Sequence, residues 1–395
     1  MPKLRVVEFS YYPETTAVSQ LLGDLLIRFK TENPQWRISV YCGGIWNHRN
    51  EYVKLFNGVK IRRLILPFYS RKNTAGKVLS YLWYYFAIFF VFLLLPPSDV
   101  VLCLTTPPLI ASAVAPGIRK KRTQFVYYIE DLYPELLFDL GYLRKPRLIR
   151  RLEIIHFRTF AKADDIIVLG EDMRRKIERN YSISSSIHVI PNWGDVPEQL
   201  IMTNSCFRLL YSGNAGLAHD FELFMDLVAS LRSYPNIEYA FRGNGVRIPW
   251  LKGKFRELGE GRASFSGIAS RDQVIPFLQS ASIFILAQTD RSIGDILPSK
   301  YYSYLACGRP ILFLGPRNCE IGRELMKNDI GYVLEDRDDQ IAALEWLITL
   351  NKFPTLAGQL GQRARDLYKG KYGFEQSYTA FARILLDGES RRLKV

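Results

Sequence analysis

Gly294–Gly315 reads GDILPSKYYSYLACGRPILFLG, and the order of its residue types predicts a loop, a helix and a strand in succession. The polar start gives way at Pro298-Ser299-Lys300 to an aromatic helix. Gly308 ends that helix, and Pro310 leads into an apolar strand, Ile311 to Leu314. With Pro298 in the first turn, backbone N–H groups, the Ser299 hydroxyl and the Lys300 ammonium face one point, a geometry suited to a phosphate. The competing interpretation is an ordinary capped helix of an α/β domain.

The same rhythm extends outward. Upstream, strands are expected at Phe207–Tyr211, Ile237–Arg242, Ala263–Ser266 and Ile283–Leu286, with helices near Phe221–Ser233 and Arg271–Gln279. Two glycine turns follow the first two strands: Tyr211-Ser212-Gly213-Asn214-Ala215-Gly216 and Gly243-Asn244-Gly245. Small residues let a backbone approach a pyrophosphate closely, although Gly-x-x-Gly alone is a weak signal. The N-terminal half alternates likewise, with strands at Leu4–Phe9, Arg37–Tyr41, Val59–Leu66, Val100–Leu104, Gln124–Ile129 and Asp165–Leu169, and a helix at Val18–Lys30. Alternation of this kind predicts α/β architecture with parallel sheets. A chain of 395 residues suits two such domains, and the polar run Pro191–Ser205 is the expected linker.

With 48% hydrophobic and 23% charged residues the chain is globular, neither disordered nor collagenous. Its net charge of +14 is uneven: Met1–Glu198 holds 28 Lys plus Arg against 18 Asp plus Glu (+10), and the remainder 25 against 21 (+4). The N-terminal half is thus expected to face something anionic. No zinc-ligand spacing, basic heptad or RNA-binding strand motif points to nucleic acid. Five scattered cysteines without a CxxC pair suggest a reducing compartment, and Met1-Pro2-Lys3-Leu4-Arg5 runs into a strand pattern without a signal peptide.

Val78–Leu95, VLSYLWYYFAIFFVFLLL, has eighteen residues, eight of them aromatic and none charged. Its length reaches the lower limit for a membrane span. Strands expected on both sides in one sheet argue against a span. Monotopic insertion into the interface of the cytoplasmic membrane face is expected instead, with Trp83, Tyr84, Tyr85, Phe86 and Phe90 as anchors. Arg62, Arg63, Arg71, Lys72, Lys77 and the clusters Arg119–Arg122 and Arg144–Arg151 would attract anionic lipid. A homodimer interface is the competing explanation. Ile129-Glu130-Asp131-Leu132-Tyr133-Pro134-Glu135 follows a strand, where open α/β sheets place functional loops; capping of the next helix is the bland alternative.

Pro298-Ser299-Lys300-Tyr301-Tyr302 followed by Ala306-Cys307-Gly308-Arg309-Pro310 resembles the donor-site segment of GT4-type glycosyltransferases of GT-B fold, particularly bacterial ones of polysaccharide and lipid-linked oligosaccharide assembly. Glu14-Thr15-Thr16-Ala17, the Asp131-Leu132-Tyr133-Pro134 segment and Ile187–Asp195 resemble further segments of that family. The resemblance implies two facing Rossmann-like domains: an acceptor and membrane-associated domain at 1–195, a donor domain at 206–370, and a crossover helix and tail at 371–395. The active site would lie in the cleft between them. It implies a retaining transfer from a nucleoside-diphosphate sugar to a saccharide acceptor, plausibly linked to polyprenyl diphosphate, with no cofactor or bound metal. Lys300, Glu130, Asp131 and Glu14 would be catalytic. Gly213, Asn214, Arg242, Gly243, Gly245, Ile268, Asp295, Pro298, Ser299 and Ser303 would bind the donor. Two departures stand out. Asn214 and His219 occupy places where relatives have Arg and Lys, and Asp295 and Ser303 stand where relatives have two glutamates. Asp336-Arg337-Asp338 superficially matches a metal-binding D-x-D but is expected to cap the helix Ile341–Leu350 through Asp338 and Asp339. A non-catalytic partner subunit of this fold, or a nucleotide-sugar epimerase of the same shape, are the rival functions.

Overall fold

The computed structural model describes residues 1–14, 16–45, 53–66, 74–118, 123–194, 196–197, 206–267 and 271–392. Thr15, Arg71, Lys72, the basic cluster at 119–122, Asp195, linker residues 198–205, Ile268 and tail residues 393–395 lie outside the described residues. The chain forms two compact units. One comprises Met1–Pro191, Gly294–Leu297 and Ser377–Val395; the other comprises Asn192–Ile293 and Pro298–Gln376.

In chain order the first unit runs β1 (Lys3–Val7), α1 (Ala17–Glu32), β2 (Arg37–Ile45), β3 (Val53–Phe56), β4 (Val59–Leu66), α2 (Thr74–Leu94), β5 (Val100–Cys103), α3 (Ile110–Val114), β6 (Gln124–Ile129), α4 (Glu135–Asp139), α5 (Pro146–Phe160), β7 (Asp165–Val168), α6 (Glu171–Asn180) and β8 (Ser186–Val189). The sheet order is β3-β4-β2-β1-β5-β6-β7-β8, parallel throughout except for the β3–β4 pair. Strands β5, β6 and β7 are buried at every position, which is why they read as apolar runs: helices cover both faces. Strand order reverses between β1 and β5, the place where such sheets open a crevice at their carboxyl ends.

Helix α2 is apolar all round, and packing assigns its faces. Tyr84, Ile88 and Phe92, four residues apart, enter the core, and the Tyr84 hydroxyl donates to the Tyr41 carbonyl at 2.9 Å. The opposite stripe stays in the open, with Trp83 45%, Phe86 57% and Phe90 40% exposed. Two of the five expected anchors are therefore corrected. Tyr84 is a core residue, and Tyr85 packs half-buried against the same cluster. Arg63 is corrected as well: strand alternation turns it inward, where its guanidinium donates to the Tyr12 carbonyl at 2.6 Å. Gly76–Leu94 is long and apolar enough to cross a membrane by length and composition. Because β4 and β5 belong to one sheet, however, a crossing between them would tear that sheet apart.

The second unit runs β9 (Phe207–Ser212), α7 (Glu222–Ser230), β10 (Ile237–Arg242), α8 (Ile248–Glu257), β11 (Ala263–Ser266), α9 (Arg271–Gln279), β12 (Ile283–Ala287), α10 (Lys300–Ala306), β13 (Ile311–Leu314), α11 (Glu320–Asn328), β14 (Gly331–Leu334), α12 (Gln340–Lys352) and α13 (Pro354–Leu367). Its sheet is parallel in the order β11-β10-β9-β12-β13-β14, the doubly wound Rossmann order. The last helix, α14 (Phe374–Arg392), starts here and enters the first unit at Ser377. There Tyr378 donates to Glu32, and the Ile384 carbonyl accepts from Gln124 at 3.1 Å.

Within Gly294–Gly315 the helix begins at Lys300, with Ser299 as N-cap, so Pro298 precedes the first turn instead of occupying it. Arg309 is buried and donates to the carbonyls of Gln279, Ala281, Cys307 and Gly308 at 2.8–3.3 Å. The Ala-Cys-Gly-Arg-Pro turn is thus a structural staple. The D-x-D is also structural, but its roles differ from expectation. Asp336 and Asp339 form a reciprocal capping box on the 3₁₀ turn Arg337–Asp339, and no side chain caps α12.

Candidate functional site

In the second unit, two glycine loops and α10 converge at the switch between β9 and β12. After β9 and β10 end, their loops stay zipped together: Gly213 N–H donates to the Arg242 carbonyl at 2.8 Å and Ala215 N–H to the Asn244 carbonyl at 2.7 Å. That approach demands glycine. A Cβ on Gly243 would sit 2.2 Å from the Gly213 carbonyl oxygen, and one on Gly245 would sit 2.2 Å from that of Ala215, at positive φ of 125° and 129°.

Helix α10 is aimed at these loops by its tyrosines. Tyr304 stacks on Phe284 of β12 with ring centroids 4.0 Å apart, and its hydroxyl accepts from the Ser212 N–H at 2.8 Å. One turn earlier, Lys300 Nζ reaches the Tyr211 hydroxyl at 2.9 Å and His219 Nε2 at 3.0 Å, and lies 4.7 Å from the Tyr211 ring centroid. Its stem passes Gly213, where an added Cβ would come 3.0 Å from Lys300 Cε. Burial pushes the Lys300 amine down to about 7. Burial first, then Lys300 and Arg247, pushes His219 down to about 3 and holds its ring neutral. The buried Arg247 Nε has no hydrogen-bond partner. Among the described residues none of Lys300, His219 and Arg247 forms an ion pair, so an amine, a neutral imidazole and a guanidinium meet here without a carboxylate partner.

The other expected donor-side residues divide. Asn214 joins the cluster through its carbonyl, which accepts from the Tyr211 hydroxyl at 2.9 Å. Ser299 is exposed beside Lys300, and Pro298 is buried. Ser303 is half-buried under Gly194, where a Cβ would lie 2.4 Å from the Ser303 backbone. Arg242 turns away to α9, donating to the Gln273 carbonyl at 3.0 Å and covering the Phe277 ring at 4.9 Å. Asp295 is part of the first unit. Gly294–Leu297 belongs to the first unit, where Lys176 of α6 bridges the Asp295 and Asp139 carboxylates at 2.5 Å each. Burial, partly offset by Lys176, pushes Asp295 up to about 7.

In the first unit the segment Ile129–Glu135 is held on three sides. The Thr105 hydroxyl, just beyond β5, accepts from the N–H groups of Glu130 and Asp131 at 3.3 and 3.4 Å. Leu132 N–H donates to the Asp295 carbonyl at 2.7 Å. Glu135 accepts from Tyr181 and pairs with His156 Nδ1 at 3.0 Å; those bonds outweigh burial and hold its carboxyl below the usual range. Neither Glu130 nor Asp131 caps α4, whose N-cap is Pro134. Burial pushes Asp131 up to about 6. Glu14 lies in the loop after β1, its N–H donating to the Tyr11 carbonyl at 3.2 Å.

Sequence reasoning missed Glu8. It is fully buried at the carboxyl end of β1, on the switch between β1 and β5; one oxygen accepts from Ser10 N–H at 3.1 Å and the other has no partner. Burial, with Glu130 nearby, raises its pKa well above the usual range. The available signal was its position, directly after a strand at the sheet's functional edge. Among the described residues no group of three or more His, Cys, Asp or Glu side chains could hold a metal ion.

Sucrose-phosphate synthase of Thermosynechococcus elongatus superposes with a TM-score of 0.74 at 11% identity, over 99% of this chain and 100% of that one. HepE of Anabaena, solved with UDP-glucose, superposes with a TM-score of 0.67 at 12% identity, over 98% and 99%. The chain has the GT-B fold. No protein-family profile matches its sequence. A curated relative, the probable glycosyltransferase WbjE of Pseudomonas aeruginosa, is 24% identical over 247 residues, 58% of this GT-B chain and 59% of the relative. The match thus spans about three fifths of that protein's length.

Proposed function

We propose that the protein is a retaining, metal-independent glycosyltransferase. It moves a sugar from a nucleoside-diphosphate sugar to a saccharide acceptor carried on polyprenyl diphosphate, in cell-surface polysaccharide synthesis. It works in the cytoplasm, on the inner face of the membrane, with the outer stripe of α2 in the lipid interface. The observation that carries this reading is the unpaired cluster of Lys300, His219 and Arg247 around Gly213 and Gly245 at the β9–β12 switch. A leaving diphosphate gains charge as the sugar centre becomes oxocarbenium-like, and donors that need no reorganisation stabilise it most. Lys300 is assigned to that diphosphate, with Gly213, Asn214, Gly243, Gly245, Pro298, Ser299 and Ser303 shaping the donor's seat. A UDP-glucose complex of the HepE fold relative and the name of WbjE support the donor class and the reaction. Glu14, Glu130 and Asp131 are assigned to the acceptor side, where they orient its hydroxyl or offset positive charge on the sugar.

The direct test is a thermal-shift screen of UDP-, GDP- and ADP-sugars. A true donor at a hundred times its Kd adds ~2.7 kcal/mol of stability. Lys300→Ala should then lower turnover by ~100-fold or more while leaving the fold intact by circular dichroism. Absence of any stabilising nucleotide sugar would favour the non-catalytic reading.

A further inference from the structure

We propose that α5 is a second lipid-facing element which, with α2, makes one docking face for an anionic bilayer; this rests on α2 being an interfacial helix. Helix α3 packs against both α2 and α5, so the two flank it. Helix α2 sits close against this α3 segment: in the 3₁₀ turn after α3, a Cβ on Gly117 would lie 2.4 Å from the Phe92 carbonyl oxygen of α2.

Helix α5 buries His156, Thr159 and Phe160. Its outward side interleaves exposed Arg147, Arg150, Arg151 and Arg158 with Leu148 (40% exposed), Ile154 (44%) and Phe157 (40%). Among the described residues none of the four arginines forms an ion pair, and Glu153 is the sole acid in the helix sequence. A helix facing water normally balances such charges with carboxylates three or four residues away. Arginines set among bare aliphatic and aromatic side chains instead match a lipid headgroup layer, where guanidinium groups reach phosphates while the apolar groups enter the acyl boundary. The division of labour is complementary, since the outer stripe of α2 is apolar and uncharged and α5 supplies the charge. A second copy of this chain fits the face poorly, because its own N-terminal half, at +10, would repel those arginines.

The test is flotation of the full-length protein on phosphatidylcholine vesicles with and without phosphatidylglycerol. Replacing Arg147, Arg150 and Arg151 together by Gln should lower partitioning onto phosphatidylglycerol vesicles by roughly 100-fold and flatten its salt dependence. Ile154→Ser with Phe157→Ser should lower it about tenfold on both compositions. If Trp83→Ser with Phe86→Ser releases the protein while both α5 variants bind as wild type, α5 is not a docking element and the reading of α2 stands. If all three variants bind as wild type, both fall. A wild-type dimer by light scattering that becomes monomeric in the α5 variants would reassign the face to a protein contact and overturn the proposal. Unchanged circular dichroism controls for folding.

Discussion

Lys300 places an amine where burial and charge are opposed, its hydrogen-bond partners among the described residues being a hydroxyl, a carbonyl and a neutral imidazole. Its pKa is pushed down from 10.5 to about 7, so between those values the unfolded chain binds the proton that the folded chain has released. Stability without ligand should therefore rise from pH 7 toward 10.5 and be lowest, from this group, below 7. Urea denaturation of wild type and Lys300→Met across that range should show the slope in the wild type alone. Glu8 works with the opposite sign. Its raised pKa means stability is full below about 4.5 and lost as pH rises toward the folded value. Glu8→Gln, which keeps a neutral side chain, should stabilise the protein more at pH 7 than at pH 4, and a parallel shift at both would refute a buried neutral acid. That Lys300 starts a helix was legible from the loop, helix and strand order of its segment. Asp295 was not: local sequence says nothing about Lys176, more than a hundred residues away, which holds it in the other unit.

At the scale of elements, strands were the most legible, since β4, β6, β10, β11 and β13 begin and end where the sequence pattern places them. Strands β3 and β14 are short and mixed in character, and their pairing partners create them. Helix α2 carried no phase, because a segment apolar on every side gives periodicity nothing to report; Tyr84 and Trp83 are equivalent in sequence and opposite in space. Glycine positions differ just as sharply. Gly243→Ala should cost about 2–3 kcal/mol or more, because a strained φ and a carbonyl collision add. Gly216→Ala, whose added carbon would meet atoms no nearer than 3.4 Å, should stay within about 1 kcal/mol. Equal denaturation midpoints for the two would contradict the zipped-loop geometry.

At the scale of the molecule, each sheet has its own core, and the C-terminal helix begins in one unit and ends in the other. Ending the chain at Gln376 would remove Phe381 and Leu385 from the first unit's interior together with the bonds to Glu32 and Gln124. Hydrogen exchange should then show β6 and α1 losing protection while β9 to β14 keep theirs; uniform loss would mean that the units fold as one. Gly294–Leu297 extends the same logic, for the backbone changes unit after Pro191, Ile293, Leu297 and Gln376. No single cut leaves both units whole: a break after Pro191 keeps the second unit intact but strips the first of Gly294–Leu297 and Ser377–Val395. Exchanging the second unit between relatives therefore means moving a mosaic of segments, and an engineer who cut only after Pro191 would carry Gly294–Leu297 and Ser377–Val395 of the neighbour's scaffolding along with the graft.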